Sequence, residues 1–90
     1  RVERATASYL PLLGARPRLG RAFGPGEERE GARVAVVSDA LARRLFPGRA
    51  SPLGAEVVVG RDAYRVVGVA PPGFRGADAT APADLWVPLG

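Results

Sequence analysis

The 90-residue sequence predicts an α+β fold, a small mixed sheet in which a Val-rich β-hairpin packs against one main helix, with a short helical turn besides. Three observations carry this. Residues 56–70 (EVVVGRDAYRVVGVA) hold two β-branched runs around a turn signal. Val34–Val37 is a short, continuously apolar run of the kind buried on both faces of a sheet. Directly after it, Ser38 stands as an N-cap before a stretch in which Leu41, Ala42, Leu45 and Phe46 recur at helical spacing.

Taken in order, residues 1–6 alternate weakly and read as the end of a strand. Tyr9, Leu12 and Leu13 fall at helical spacing, and Gly14 is placed to end the turn in the left-handed conformation. Thr6 and Ser8 both offer a capping hydroxyl. Counting from Thr6 puts Pro11 at the fifth helical position, where its missing N–H is needed. Counting from Ser8 puts it at the third, where that donor has no intrahelical partner. Ser8 is therefore the expected cap of a single turn, of α or 3₁₀ geometry. Residues 15–23 (ARPRLGRAF) read as extended, and Pro17 argues for an edge position. Residues 24–31 (GPGEEREG) read as a solvated loop.

In the main helix Asp39 lies in the first turn, where the helix dipole favours it, and Arg43 and Arg44 face outward. Pro47 and Gly48 stop it. After a turn at residues 51–54 (SPLG), strands at 56–59 and 63–70 make the hairpin. Gly60-Arg61 fits a two-residue turn with Gly in the first central position, and Asp62 offers a longer loop as the alternative. Pro71, Pro72 and Gly73 end the second strand, residues 75–82 form a loop of small residues, and residues 84–89 (DLWVPL) are a last extended piece with the only Trp. The succession is strand, turn, strand, strand, helix, hairpin, strand.

Composition excludes several kinds of chemistry. The chain has no His, Cys, Met, Lys, Asn, Gln or Ile. Without His or Lys there is no Ser-His-Asp triad, no Schiff-base lysine and no Ser-Lys dyad. Without His and Cys there is no zinc site of the usual kind, and without Lys no complete Walker A loop. The same absences, with abundant Ala, Gly, Pro, Arg and Val, look like the translation of a very GC-rich genome, so Arg here does the solubilising work of Lys. The net charge of +4 is modest and the acids are interspersed among the Arg residues, a pattern that argues against nucleic-acid binding. No apolar stretch approaches the roughly 20 residues needed to span a bilayer. The chain has neither a start Met nor a signal segment, as expected of an internal domain.

Few residues invite a functional reading. Arg21, after Gly20, could clamp an anion, or Gly20 could permit a tight bend while Arg21 ties down a nearby carboxylate or carbonyl. Gly68, in Val67-Gly68-Val69, reads as room for a crossing element. Glu27, Glu28 and Glu30 lack the spaced pattern of a calcium loop. Ser38 lacks the flanking glycines of a nucleophile elbow and reads as a cap. Trp86 is either a core anchor or, with Phe74, the mouth of a groove where a partner docks. Arg21, Phe74 and Trp86 are thus the candidate partner-binding residues. No residue is assigned to catalysis, a cofactor or a metal.

A series of phrases recurs in order along the chain. They are Tyr9-Leu10 with Leu13-Gly14; Pro17, Gly20-Arg21 and Phe23; Val34 to Ser38 (VAVVS); Arg43 to Phe46 (RRLF); Pro52-Leu53-Gly54; residues 64–69 (YRVVGV); Pro72-Gly73-Phe74; and residues 84–89. No single phrase is specific, but eight in this order resemble the periplasmic core domain of MacB-like ABC-transporter permeases, in the FtsX-like superfamily. The resemblance covers residues 6–89. Ala42, where many relatives carry Trp, and Pro11, where they carry an acidic or polar residue, depart from the pattern.

The resemblance implies a single extracytoplasmic domain fragment over residues 1–90, its flanking transmembrane helices outside the sequence. It would sit on the periplasmic side of the inner membrane and have no catalytic role. Its implied partners are the transmembrane helices of the same permease, an ATP-binding subunit or domain, a second permease copy in a dimer, and a periplasmic adaptor or lipoprotein. The implied role is coupling ATP-driven motion to export or release of an amphiphilic, lipid, lipoprotein or peptide cargo. The alternative is a module that binds substrate or a partner protein directly.

Overall fold

The computed structural model describes residues 1–48 and 51–89. Among them the elements run β1 (Val2–Ala5), α1 (Tyr9–Leu12), β2 (Leu19–Gly20), α2 (Pro25–Glu30), β3 (Val34–Val37), α3 (Asp39–Leu45), β4 (Glu56–Val59), β5 (Asp62–Val69) and β6 (Leu85–Pro88). The strands form one mixed sheet in the order β1-β6-β3-β5-β2, with β4 also beside β5. β6 runs parallel to β1 and antiparallel to β3, and β3 runs parallel to β5. β4 and β2 take successive halves of the other edge of β5, both antiparallel.

This sheet is covered on both faces. Alternation along β3 sends Val34 and Val36 to one side and Ala35 and Val37 to the other, and all four are buried. Trp86, Phe23, Leu10 and Ala5 fill the first side under α1. Leu41 and Ala42 of α3 pack on the second with Val57 and Val66 of the hairpin. The hairpin thus lies against the main helix, as the sequence predicts. Val59 pairs with Asp62, which fixes the two-residue turn at Gly60-Arg61 and puts Asp62 in the strand rather than the loop. Gly60 alone of the two has positive φ, the type II′ pattern.

Four expectations are corrected. Residues 24–31 are not a loop: Pro25 opens α2 at its first position, the Glu27 carboxylate accepts the Gly24 N–H at 2.8 Å, and Gly31 closes it at φ 61°. The Gly31 and Ala32 N–H groups then bond the Glu28 and Glu27 carbonyls, a Schellman ending. In α1 it is Leu10 that enters the core, while Leu12 and Leu13 are exposed. Ser8 does precede α1, but its hydroxyl meets Thr6 Oγ1 instead of a helical N–H. The Ala7 N–H is taken by Glu28 Oε1 at 2.7 Å. In α3, Leu45 drops out of the apolar stripe at 48% exposure.

Candidate functional site

The three residues singled out from the sequence do not form one site. β3 and β5 separate β6, which carries Trp86, from β2, after which Arg21 follows. Trp86 is completely buried, and its indole N–H donates to Glu3 Oε1 at 2.8 Å. Burial raises the Glu3 pKa, and hydrogen bonds from Tyr9, Arg1 and Trp86 outweigh that effect and leave it below the usual carboxylate value. Phe74 is half-buried, its ring centroid 5.3 Å from that of Trp86 at 35°. Of the two readings of Trp86, the structure follows the core anchor, since its indole has no exposed surface.

Arg21 is exposed, and its guanidinium is already paired. Nη1 and Nη2 donate to the two oxygens of Glu27 at 2.7 and 2.9 Å, and Nη1 also reaches the Ala22 carbonyl. This fork lowers the Glu27 pKa to about 2. Gly20 has φ 68°, and a Cβ there would strike the Val67 carbonyl oxygen. Both residues therefore follow the tight-bend alternative, with Arg21 tied to a carboxylate.

A different group of charges surrounds a real concavity. Ser38 caps α3 by accepting the Leu41 N–H at 3.0 Å, which sets Asp39 in the first turn. Arg43, four residues on, donates from Nε to Asp39 Oδ2 at 2.9 Å. Arg18 is held at the start of β2 by its own N–H on the Val69 carbonyl, and it donates from Nε to Asp39 Oδ1 at 2.7 Å. The Arg43 hydrogen bond dominates the fall in the Asp39 pKa, with burial opposing and Arg18 adding to it. Arg18 and Arg43 both line a cleft of about 380 Å³, together with Phe46, Pro47 and Pro52. The Asp39–Arg43 pair was legible as an i,i+4 spacing. Arg18 was not, because only the β2–β5 pairing carries it across 21 residues to Asp39.

The fold and this geometry can now be set beside known proteins. All of residues 1–90 match the family described as the MacB-like periplasmic core domain. The chain belongs to that family. It is 38% identical over 76 residues to the "Macrolide export ATP-binding/permease protein MacB" of Chlorobaculum tepidum, an alignment covering 83% of this chain and 12% of that protein. It is 29% identical over 87 residues to the "Probable syringafactin export ATP-binding/permease protein SyfD" of Pseudomonas syringae pv. syringae, covering 97% of this chain and 13% of that one. The extracellular domain of the noncanonic ABC-type transporter YknZ from Gram-positive bacteria superposes with a TM-score of 0.79 at 26% identity, over 98% of this chain and 42% of that domain.

This MacB-like domain thus spans about an eighth of the length of the curated relatives it matches. The mixed sheet and short helices are the periplasmic-domain fold of that family. Among the described residues no helix is long and apolar enough to cross a membrane.

Proposed function

We propose that this chain is the extracytoplasmic domain of an ABC-transporter permease, on the periplasmic side of the inner membrane, and that it couples ATP-driven motion of the membrane helices to export or release of cargo. The observation that carries this reading is the family match along the whole of residues 1–90. A sheet packed on both faces is what such a role needs, since a stiff body passes displacement on where a pliable one absorbs it. The domain is non-catalytic, and ATP is hydrolysed in a separate domain or subunit. Its partners are the permease's own transmembrane helices, that ATPase, a second permease copy and a periplasmic adaptor or lipoprotein. The cargo class is amphiphilic: a lipid, lipoprotein or peptide.

The alternative, a module that binds substrate or partner directly, loses its aromatic anchor because Trp86 is buried. The observation that keeps it in play is the cleft at Arg18 and Arg43.

Replacing this domain by a flexible linker in the full-length permease tests the coupling role. Basal ATP hydrolysis and cargo binding should persist while export is lost. Loss of cargo binding would favour the alternative, and undiminished export would sink both. A parent polypeptide without one span of roughly 20 apolar residues before this segment and three after it would overturn the permease assignment itself.

A further inference from the structure

We infer that the α1 turn is an internal seam of a larger extracytoplasmic domain, and that it receives an apolar segment bearing a carboxylate from the part of that domain outside residues 1–90. The inference rests on the permease reading above and adds a docking face to it. Leu12 is 81% exposed and Leu13 44%, although both belong to a turn whose neighbour Leu10 is in the core. Beside them Pro11 and Gly14 open onto a hollow of about 300 Å³ whose walls expose chiefly carbon, from Ala15, Pro17 and Ala22. Two exposed leucines next to an apolar hollow make one continuous surface, the kind that marks an interaction site. Arg16 is the single charged residue of that lining. Arg18 and Arg21, close by in sequence, are held by Asp39 and Glu27, whereas Arg16 has no partner among the described residues. The occupant that complements this face is therefore apolar with an acid at its edge.

Length favours the rest of the domain as that occupant. The YknZ extracellular domain superposes on 98% of this chain, yet the match takes in only 42% of that domain, so more than half of such a domain lies beyond this fold. A segment of the same polypeptide also docks at the high effective concentration of an intramolecular partner. A second copy fits less well. A two-fold contact sets the same patch against itself, and residues 4–26 hold no acid, so Arg16 would meet another basic surface. A bilayer fits less well too. Two leucine side chains bury less carbon than one myristoyl chain, which by itself gives only marginal, reversible attachment.

The chain has no Cys, so Leu12→Cys places a lone thiol in it, at a position exposed enough to leave the fold intact. N-ethylmaleimide labelling of this variant, read by mass spectrometry at the peptide of residues 9–16, compares the 90-residue chain with the complete extracytoplasmic domain of the parent polypeptide. The thiol should react freely in the 90-residue chain and at least about tenfold more slowly in the complete domain, with the protection lost in urea. Adding Arg16→Glu should restore fast labelling in the complete domain. Leu12→Ser should lower the urea midpoint of the complete domain and leave that of the 90-residue chain unchanged. Equal labelling in the two proteins overturns the inference. So does protection of the 90-residue chain that rises with its own concentration, which assigns the face to a second copy, or protection that appears only with phosphatidylcholine–phosphatidylglycerol vesicles, which assigns it to a bilayer. The permease reading is judged separately, by the apolar spans of the parent sequence. Unprotected thiol in a parent that has those spans sinks this inference alone, and a parent that lacks them sinks both.

Discussion

Gly20 and Gly68 pair across the β2–β5 ladder, and neither position has room for a Cβ. At Gly68 the added atom would strike the Arg21 carbonyl oxygen, and at Gly20 the Val67 carbonyl oxygen. Both obstacles are backbone, fixed by the Arg21 N–H to Val67 carbonyl bond of 2.9 Å, so no side-chain rotation relieves them. Gly68→Ala is expected to destabilise the domain by about 2–3 kcal/mol. Gly20→Ala should cost more, because φ of 68° adds roughly 1 kcal/mol for a residue with a Cβ. Urea unfolding midpoints check both, and a wild-type midpoint for Gly68→Ala would mean that β2 is not held against β5 as described.

The Arg21–Glu27 fork makes stability depend on acid. The Glu27 pKa is about 2 in the folded chain, with the Arg21 hydrogen bonds as its main cause, against 4.5 ordinarily. A depressed folded pKa means that the contribution is whole above the ordinary value and is lost as pH falls through 4.5 towards 2. Arg21 is half exposed, so solvent screening reduces the effect to about 1 kcal/mol. Unfolding free energies at pH 7, 4 and 2.5 should fall more steeply in the wild-type chain than in Glu27→Gln. Parallel curves would show that the fork contributes nothing.

Trp86 is the only Trp, so its fluorescence reports one site. With no exposed surface and its N–H on Glu3, it should resist iodide quenching in the folded chain and become quenchable on denaturation. Trp86→Ala should cost about 3–5 kcal/mol, since it empties the core under α1 and leaves the Glu3 carboxylate without one of its donors. Equal quenching of folded and unfolded chains would return Trp86 to the surface.

What the sequence made legible were the elements with a strong period or a paired signal. The run Val34–Val37, the Ser38 cap and the hairpin turn at Gly60-Arg61 each follow from chemistry contained within a few residues. α2 escaped because PGEERE has no apolar face, so hydrophobic periodicity is silent there. Its ends were nonetheless written in Pro25, Glu27 and Gly31, the N-terminal Pro and C-terminal Gly asymmetry of helices. The cleft escaped for another reason. Arg18 and Asp39 meet only after β2 is laid against β5 and α3 is capped, and no local pattern encodes that meeting.

The turn at α1 gives the sharpest contrast between pattern and packing. Helical spacing groups Tyr9, Leu12 and Leu13, whereas the chain buries Leu10 at 2% exposure and leaves Leu12 at 81%. The cause lies in the ending of the turn. Gly14 adopts φ 70°, its N–H bonds the Pro11 carbonyl and the Ala15 N–H bonds the Leu10 carbonyl, so the chain reverses after one turn and sets Leu10 beside Ala15 and Phe23. A longer helix would have had a face for Leu12 and Leu13; this one has no second turn to supply it. Leu10→Ala should therefore cost about 2–4 kcal/mol, while Leu12→Ala should stay within about 0.5 kcal/mol of the parent. Urea unfolding of the two variants side by side decides it, and a Leu12→Ala cost equal to that of Leu10→Ala would mean that the turn ends elsewhere.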